Sequence, residues 1–187
     1  MSGGLQESSH LLTARLDLRA LTVGDLNPLH QIMSDPLNCV YMPEGPKESP
    51  EDSQAWIERF GRRWDAIGLG YWTVRLRANS AVIGVGGVER RSVCWNLYYL
   101  LDRNYWGYGY GTELALAAER EAAALEPDLP VVAWIHQENS ASQGVARHLG
   151  MTNYGLLAPQ LWDGEPMHCW ADRQPPRSWQ PGPALAG

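Results

Sequence analysis

The stretch from Tyr99 to Glu113 constrains this chain more than any other. It reads Tyr-Leu-Leu-Asp-Arg-Asn-Tyr-Trp-Gly-Tyr-Gly-Tyr-Gly-Thr-Glu. An apolar strand ends at Leu100 and Leu101, glycines stand at 107, 109 and 111, and a helix rich in alanine and leucine opens at Thr112. A loop of this kind turns several backbone N–H groups toward one point, and the helix N-terminus adds roughly half a positive charge there. Glycines remove the side chains that would keep a phosphate from the backbone. The stretch therefore predicts an anion site, or else simply a tight turn from strand to helix. It is not a P-loop, which ends in Gly-Lys-Ser/Thr. The spacing is G-x-G-x-G rather than the G-x-G-x-x-G of a dinucleotide fold, and a parallel doubly wound sheet is contradicted by the strands that precede it.

Those strands form a meander. Residues 15–21 alternate, with Leu16, Leu18 and Ala20 on one side and Arg15, Asp17 and Arg19 on the other, which predicts a half-buried strand. Thr22 or Asp25 can cap a helix carrying Leu26, Leu29, His30 and Met33, ended by Pro36. Residues 36–50 hold four prolines and read as loop. Ser49-Pro50-Glu51-Asp52 has the signature of a helix start, and Trp56, Phe60 and Trp64 form a stripe along that helix, as core or as pocket wall. Strands are expected over 71–76, 81–89 and 93–102. After the helix over 112–126 come a buried strand at 131–136, a short helix over 140–149 closed by Gly150, and strands at 152–158 and 167–172 around a turn at Asp163-Gly164. A meander followed by a β-α-β crossover gives one domain of mixed α/β class. Its central sheet is mixed, mostly antiparallel, of about six to seven strands, with helices on both faces. Residues 1–13 are expected to be a flexible leader, 14–173 the domain, and 174–187 a proline-rich disordered tail.

Bulk properties narrow the function. The chain has 187 residues, a size that suits one domain. Net charge is −6 with no basic stripe, which argues against nucleic acid and weakly favours a cationic acceptor. No apolar run has membrane-spanning length, and residues 1–10 lack a secretion signal. Cys39, Cys94 and Cys169 are odd in number and far apart, which predicts reduced thiols and a cytoplasmic protein. No cysteine or histidine pair has zinc-site spacing, so no metal is expected. Cys94 with His136 is a weak candidate for a thiol nucleophile, since strand cysteines are usually inert core residues.

The glycine segment resembles motif A of the GNAT (GCN5-related) N-acetyltransferases, whose pyrophosphate loop reads R/Q-x-x-G-x-G/A. Gly109 and Gly111 fall on its two small positions, and Trp106 stands where Arg or Gln is frequent. The run Trp-Gly-x-Gly-Tyr-small-Thr-Glu is similar in particular to the branch that acetylates ribosomal-protein N-termini. A second family signature, N-x-x-S/A followed by a helix ending Leu-Gly-Phe, is met by Asn139 to Ser142 and by Leu149-Gly150-Met151. The resemblance covers residues 14–172. It implies a GNAT-type fold, acetyl-CoA as co-substrate and an amine acceptor, either a protein N-terminus or a small molecule. It further implies that Trp106, Gly107 and the backbone N–H groups from Tyr108 to Thr112, including Tyr110, hold the pyrophosphate. Leu100 and Leu101 would splay from the neighbouring strand and pair with the pantetheine, an N–H there polarising the thioester. Asn139 and Ser142 would lie near the pantetheine and the sulfur, although Asn139 and Ser140 also suit a plain helix cap.

The attacking amine must be neutral, and a lysine amine titrates near ~10.4 against ~7.7–8.0 for an α-amine, so a base or water chain is needed. Glu89 is the candidate base; a solvated strand-end acid beside Arg90 and Arg91 is the alternative. The family's thiol-protonating tyrosine falls here on Ala146, which leaves Ser142, and after it Tyr154, as the acid. His30, Tyr41, Trp72 and Trp95 are candidate acceptor contacts. A sensor that binds acyl-CoA without turnover, and a longer acyl donor accommodated by Gly86 and Gly87, are rival readings. Relatives imply a monomer or homodimer.

Overall fold

The computed structural model of the protein describes residues 8–157 and 166–175. Its first strand lies where none was expected. β1 (His10–Leu12) pairs antiparallel with β2 (Leu16–Ala20), so the leader expected over 1–13 contains an edge strand. Three residues are too few to show alternation. Neighbours hold them: His10 Nε2 lies 2.9 Å from Asp17 Oδ1, and the Trp72 indole N–H donates to the Ser8 carbonyl at 2.8 Å.

A 3-10 turn at Val23–Asp25 leads into α1 (Leu26–Met33), with the Thr22 N–H donating to the Asp25 carboxylate. The helix α2 (Pro50–Ile67) starts as its sequence predicts. The Asp52 N–H donates to Ser49 Oγ, the Ser49 N–H donates back to the Asp52 carboxylate, and Gly68 closes the far end at φ +80°. The strands β3 (Tyr71–Leu76), β4 (Val82–Arg90) and β5 (Trp95–Leu101) form the meander. Then follow α3 (Tyr110–Leu125), β6 (Val131–Ile135), α4 (Ser140–His148), β7 (Thr152–Leu157) and β8 (Met167–Ala171).

Among the described residues the sheet has eight strands in the order β1-β2-β3-β4-β5-β6-β8-β7, rather than the expected six or seven. Every neighbouring pair is antiparallel except β5 with β6, the pair joined through α3. Each face is covered. Leu114, Ala115, Ala118 and Ala122 of α3 pack with Leu97, Trp95 and Trp72 in the larger core. Leu29, Ile32 and Met33 of α1 pack with Trp56, Ile57 and Phe60 of α2 and with Tyr71, Val85 and Leu100 in a second core.

Two glycines of β4 serve these cores rather than leaving room for an acyl chain. A Cβ on Gly86 would come within 2.5 Å of the Tyr99 Cβ, and one on Gly87 within 2.5 Å of the Gly70 carbonyl. The turn expected at Asp163-Gly164 and all but the first two positions of the tail lie outside the described residues. Among the described residues no helix is long and apolar enough to cross a membrane, and no cluster of His, Cys, Asp or Glu could hold a metal.

Candidate active site

The parallel ladder between β5 and β6 stops after two residue pairs, Trp95 with Val131 and Asn96 with Val132. Beyond them a cavity of about 680 Å³ opens between the strands, with Leu97 to Leu101 on one side and Ala133 to His136 on the other. The Trp95 N–H donates to the Pro130 carbonyl, on the β6 side. Regular alternation along β5 therefore turns the N–H groups of Leu97, Tyr99 and Leu101 toward the opening, and those of Tyr98 and Leu100 toward β4. Of the two residues predicted to meet the pantetheine, Leu101 has its N–H on the open side, and Leu100 spends its own on the ladder to β4. Tyr99, not singled out from sequence, presents an N–H as Leu101 does. The Leu101 carbonyl accepts from the Trp106 indole at 2.8 Å.

At the C-terminal end of β5 the chain passes through a 3-10 turn (Arg103–Tyr105) into the glycine loop. Gly107 and Gly109 both sit at φ +80°, a conformation that glycine adopts without strain, and Gly109 is the N-cap of α3. The first bond of the helix runs from the Glu113 N–H to the Gly109 carbonyl. The N–H groups of Tyr110, Gly111 and Thr112 thus have no acceptor within the helix. Trp106, Gly107, Gly109, Tyr110, Gly111 and Thr112 line the cavity. Tyr108 does not; it is 64% exposed and stacks on Tyr110.

Sequence reasoning missed what braces this loop. Arg15 donates to the Tyr108 carbonyl at 2.7 Å and to Glu113 at 2.7 Å, and its guanidinium lies 4.6 Å over the Tyr110 ring. Burial alone would raise the Glu113 carboxyl. The Thr13 hydroxyl and the Arg15 N–H and guanidinium outweigh burial and hold it below the usual range. A depressed carboxyl stabilises the fold above its unfolded-state value, ~4.3, and that contribution is lost as pH falls through the lowered folded-state value. Glu113→Gln is expected to cost about 1–3 kcal/mol at neutral pH in denaturant melts. The deficit should shrink toward acid pH; a deficit that stays constant with pH would refute the assignment.

On the opposite wall, the Asn139 side chain accepts from the Ser142 N–H at 3.0 Å as the N-cap of α4, and both residues line the cavity. The Tyr99 hydroxyl donates to Ser142 Oγ at 3.1 Å, and burial pushes that phenol up. Ala146, at the position of the family's tyrosine, is buried. Tyr154 is exposed on β7 and away from the cavity, which removes it as a substitute.

On the α2 face the cavity is walled by Trp56, Phe60, Tyr71 and Tyr98, whose rings pack at centroid distances from 4.5 to 6.0 Å. Tyr41 lines the mouth and packs 5.3 Å from the ring of His136. Three other expected acceptor contacts lie elsewhere. Trp72 and Trp95 are both fully buried in the larger core and do not line the cavity. His30 does not line the cavity, and its Nδ1 is 2.8 Å from Ser53 Oγ. Glu89 is 1% exposed, not solvated. It sits behind the wall, held by Arg91 and by Arg63 at 3.4 Å, so an amine in the cavity meets Arg91 before Glu89. Burial raises its carboxyl more than Arg91, Arg63 and Arg59 lower it. Cys94 packs with Val132, Cys169 and Ala171 in a third cluster, apart from the cavity that His136 lines.

Residues 15–152 match the family model of the acetyltransferase (GNAT) domain. The chain belongs to the GNAT acetyltransferase family. Solved structures agree on the fold. An acetyltransferase from Agrobacterium tumefaciens superposes with a TM-score of 0.72 at 24% identity, covering 88% of this chain and 94% of its own. A GNAT-family acetyltransferase from Bacillus anthracis gives 0.70 at 20% identity, over 87% and 95%. RimL, a ribosomal L7/L12 α-N-protein acetyltransferase, gives 0.68 at 19% identity, over 86% and 91%. In this GNAT chain the mixed, mostly antiparallel sheet with helices on both faces is thus the fold of the family.

Proposed function

We propose that the protein transfers an acetyl group from acetyl-CoA to a primary amine by direct attack. One observation carries this reading: a single cavity passes through the sheet where β5 and β6 part, with the glycine loop at one end and the aromatic wall at the other. The N–H groups at the start of α3 suit a pyrophosphate. The N–H groups of Tyr99 and Leu101 face the opening, where they can hold a thioester oxygen as charge develops on it, typically worth ~2.7–4 kcal/mol per donor. The amine nitrogen bonds to the carbonyl carbon as the C–S bond breaks. The nitrogen gives up its proton to water in the cavity, since Glu89 lies behind Arg91, and the thiolate takes one. Ser142 is the donor, and it regains its proton in the same step from the water that received the amine's. Tyr99 occupies an Oγ lone pair with its own proton, so the Ser142 O–H is free to point at the sulfur. Three buried free thiols suit a reducing compartment.

The test is amine-dependent release of free thiol from acetyl-CoA, beside calorimetric binding of acetyl-CoA. Turnover with saturable binding is expected. Ser142→Ala should lower kcat roughly tenfold to a hundredfold with little change in KM for acetyl-CoA, and Tyr99→Phe should act in the same direction. Binding without thiol release for any amine would make the protein a sensor; no binding would sink both readings.

A further inference from the structure

The acceptor half of the cavity has a chemistry that the net charge of −6 does not suggest. Arg59 of α2 and Arg91, just past the end of β4, both line it. Glu44, which also lines it, is spent on Lys47 at 2.7 Å, and one carboxylate, Glu89, stands behind Arg91. The wall thus carries more guanidinium charge than its own carboxylates answer. Beside them Asn96, 5% exposed, lines the cavity with a buried Oδ1 that has no hydrogen-bond partner, and Arg91 keeps Nε and Nη1 unpartnered. The unpaired Arg91 N–H groups call for an acceptor such as a carboxylate, and the Asn96 oxygen calls for a donor, which water supplies.

The location separates these residues from the coenzyme's phosphates. Arg91 follows Arg90, which lies opposite Trp95, whereas the glycine loop follows Leu101 at the other end of β5. Tyr99, whose N–H faces the opening, is four residues beyond Trp95, about 13 Å of strand, and the side chains of Arg59 and Arg91 reach into the cavity and take up part of that distance. A group that reached both the thioester near Tyr99 and the arginines would have to be extended, and Trp56, Phe60, Tyr71 and Tyr98 line the path between with apolar ring surface.

Building on the acetyltransferase reading, we infer that the acceptor is a small amine that also carries a carboxylate, the two separated by an apolar spacer, with Arg59 and Arg91 binding the carboxylate. Guanidinium and carboxylate pair through two parallel, charge-assisted hydrogen bonds, which gives direction as well as affinity.

The experiment compares 4-(aminomethyl)benzoate with benzylamine, the same amine and ring with and without the carboxylate. The expected result is a kcat/KM preference of about 10- to 100-fold for the carboxylate. Arg59→Gln should narrow that ratio, because Arg59 is exposed and its loss strands no buried charge. Arg59→Lys should restore part of it. Equal turnover of the two amines, or a ratio unmoved by Arg59→Gln, would overturn the inference and leave the acetyltransferase reading standing. So would faster acetylation of an acidic N-terminal peptide than of the benzoate. If neither amine is acetylated while acetyl-CoA still binds, the inference fails; if acetyl-CoA does not bind, the parent reading fails with it.

Discussion

Gly109→Glu is expected to leave the protein folded and to weaken acetyl-CoA binding at least about a hundredfold. The position combines three properties. Its φ of +80° strains any side chain, at a cost of about 1–2 kcal/mol, which a domain of this size survives. A Cβ there meets nothing closer than the Arg15 guanidinium at 3.4 Å, so no backbone must move. The new carboxylate would sit at the N-terminus of α3, on the N–H groups proposed for the pyrophosphate, where it both occupies donors and repels. Two like charges about 4 Å apart near a protein surface oppose each other by about 4 kcal/mol at an effective dielectric of ~20. Calorimetry gives the affinity and circular dichroism the fold. Gly109→Ser carries the strain without the charge and should retain most of the binding. Unchanged affinity in a folded Gly109→Glu protein would reduce the glycine loop to a plain turn.

A large stability effect is expected at Gly87, far from the glycine loop. Gly87 lies opposite Tyr71 in the β3–β4 ladder at φ +148°. A methyl group there would stand 2.5 Å from the Gly70 carbonyl and 3.0 Å from the Trp72 ring. One obstacle is backbone and the other is a fully buried indole, so neither yields cheaply. Overpacking of this severity with a positive φ costs about 3–4 kcal/mol, which lowers the melting temperature by roughly 10 °C in a domain of this length. Gly144 supplies the contrast. It lies inside α4 with nothing within 4 Å of its added Cβ, and alanine there should be neutral or stabilise by about 0.5–1 kcal/mol. Equal melting temperatures for the two alanine variants would disprove the packing argument.

Local signals made most of the fold legible. Ser49, Pro50 and Asp52 announced α2 to the residue, and β3 fell on the six positions its pattern gave. The glycine loop was legible because three glycines before an alanine-rich helix have few other uses. What escaped was set by partners distant in sequence. β1 is a strand because β2 offers an edge, not because of its own pattern. Period two told that Trp72 and Trp95 share a face with their alternate neighbours, but not where along that face the cavity begins: Leu97 and Tyr99 reach it, whereas Trp95 stands where β5 is still paired with β6 and Trp72 lies in the larger core. Glu89 stands among charged residues, which fits a base and a solvated acid equally well, and the sequence does not show that Arg63, 26 residues away on α2, closes over it. Tyr99 was hidden in the apolar run 97–101 because its hydroxyl finds Ser142 only after 43 residues of chain have folded back.

The short β5–β6 ladder has a mechanical side. Two residue pairs are all that stitch the five-strand half of the sheet to the half built from β6, β8 and β7. Elsewhere along that seam the backbone of β5 faces the cavity instead of a neighbouring strand. An extended ligand lying in the opening, hydrogen-bonded to the N–H groups of Tyr99 and Leu101, would act as a temporary strand and take up load that the protein's own ladder does not carry. Cohesion between the halves would then rise and fall with occupancy, by about 2.7 kcal/mol at a hundredfold excess over Kd. Each turnover would loosen and re-tension the molecule along one line, and the gap that admits the substrate is also the shortest ladder of the sheet.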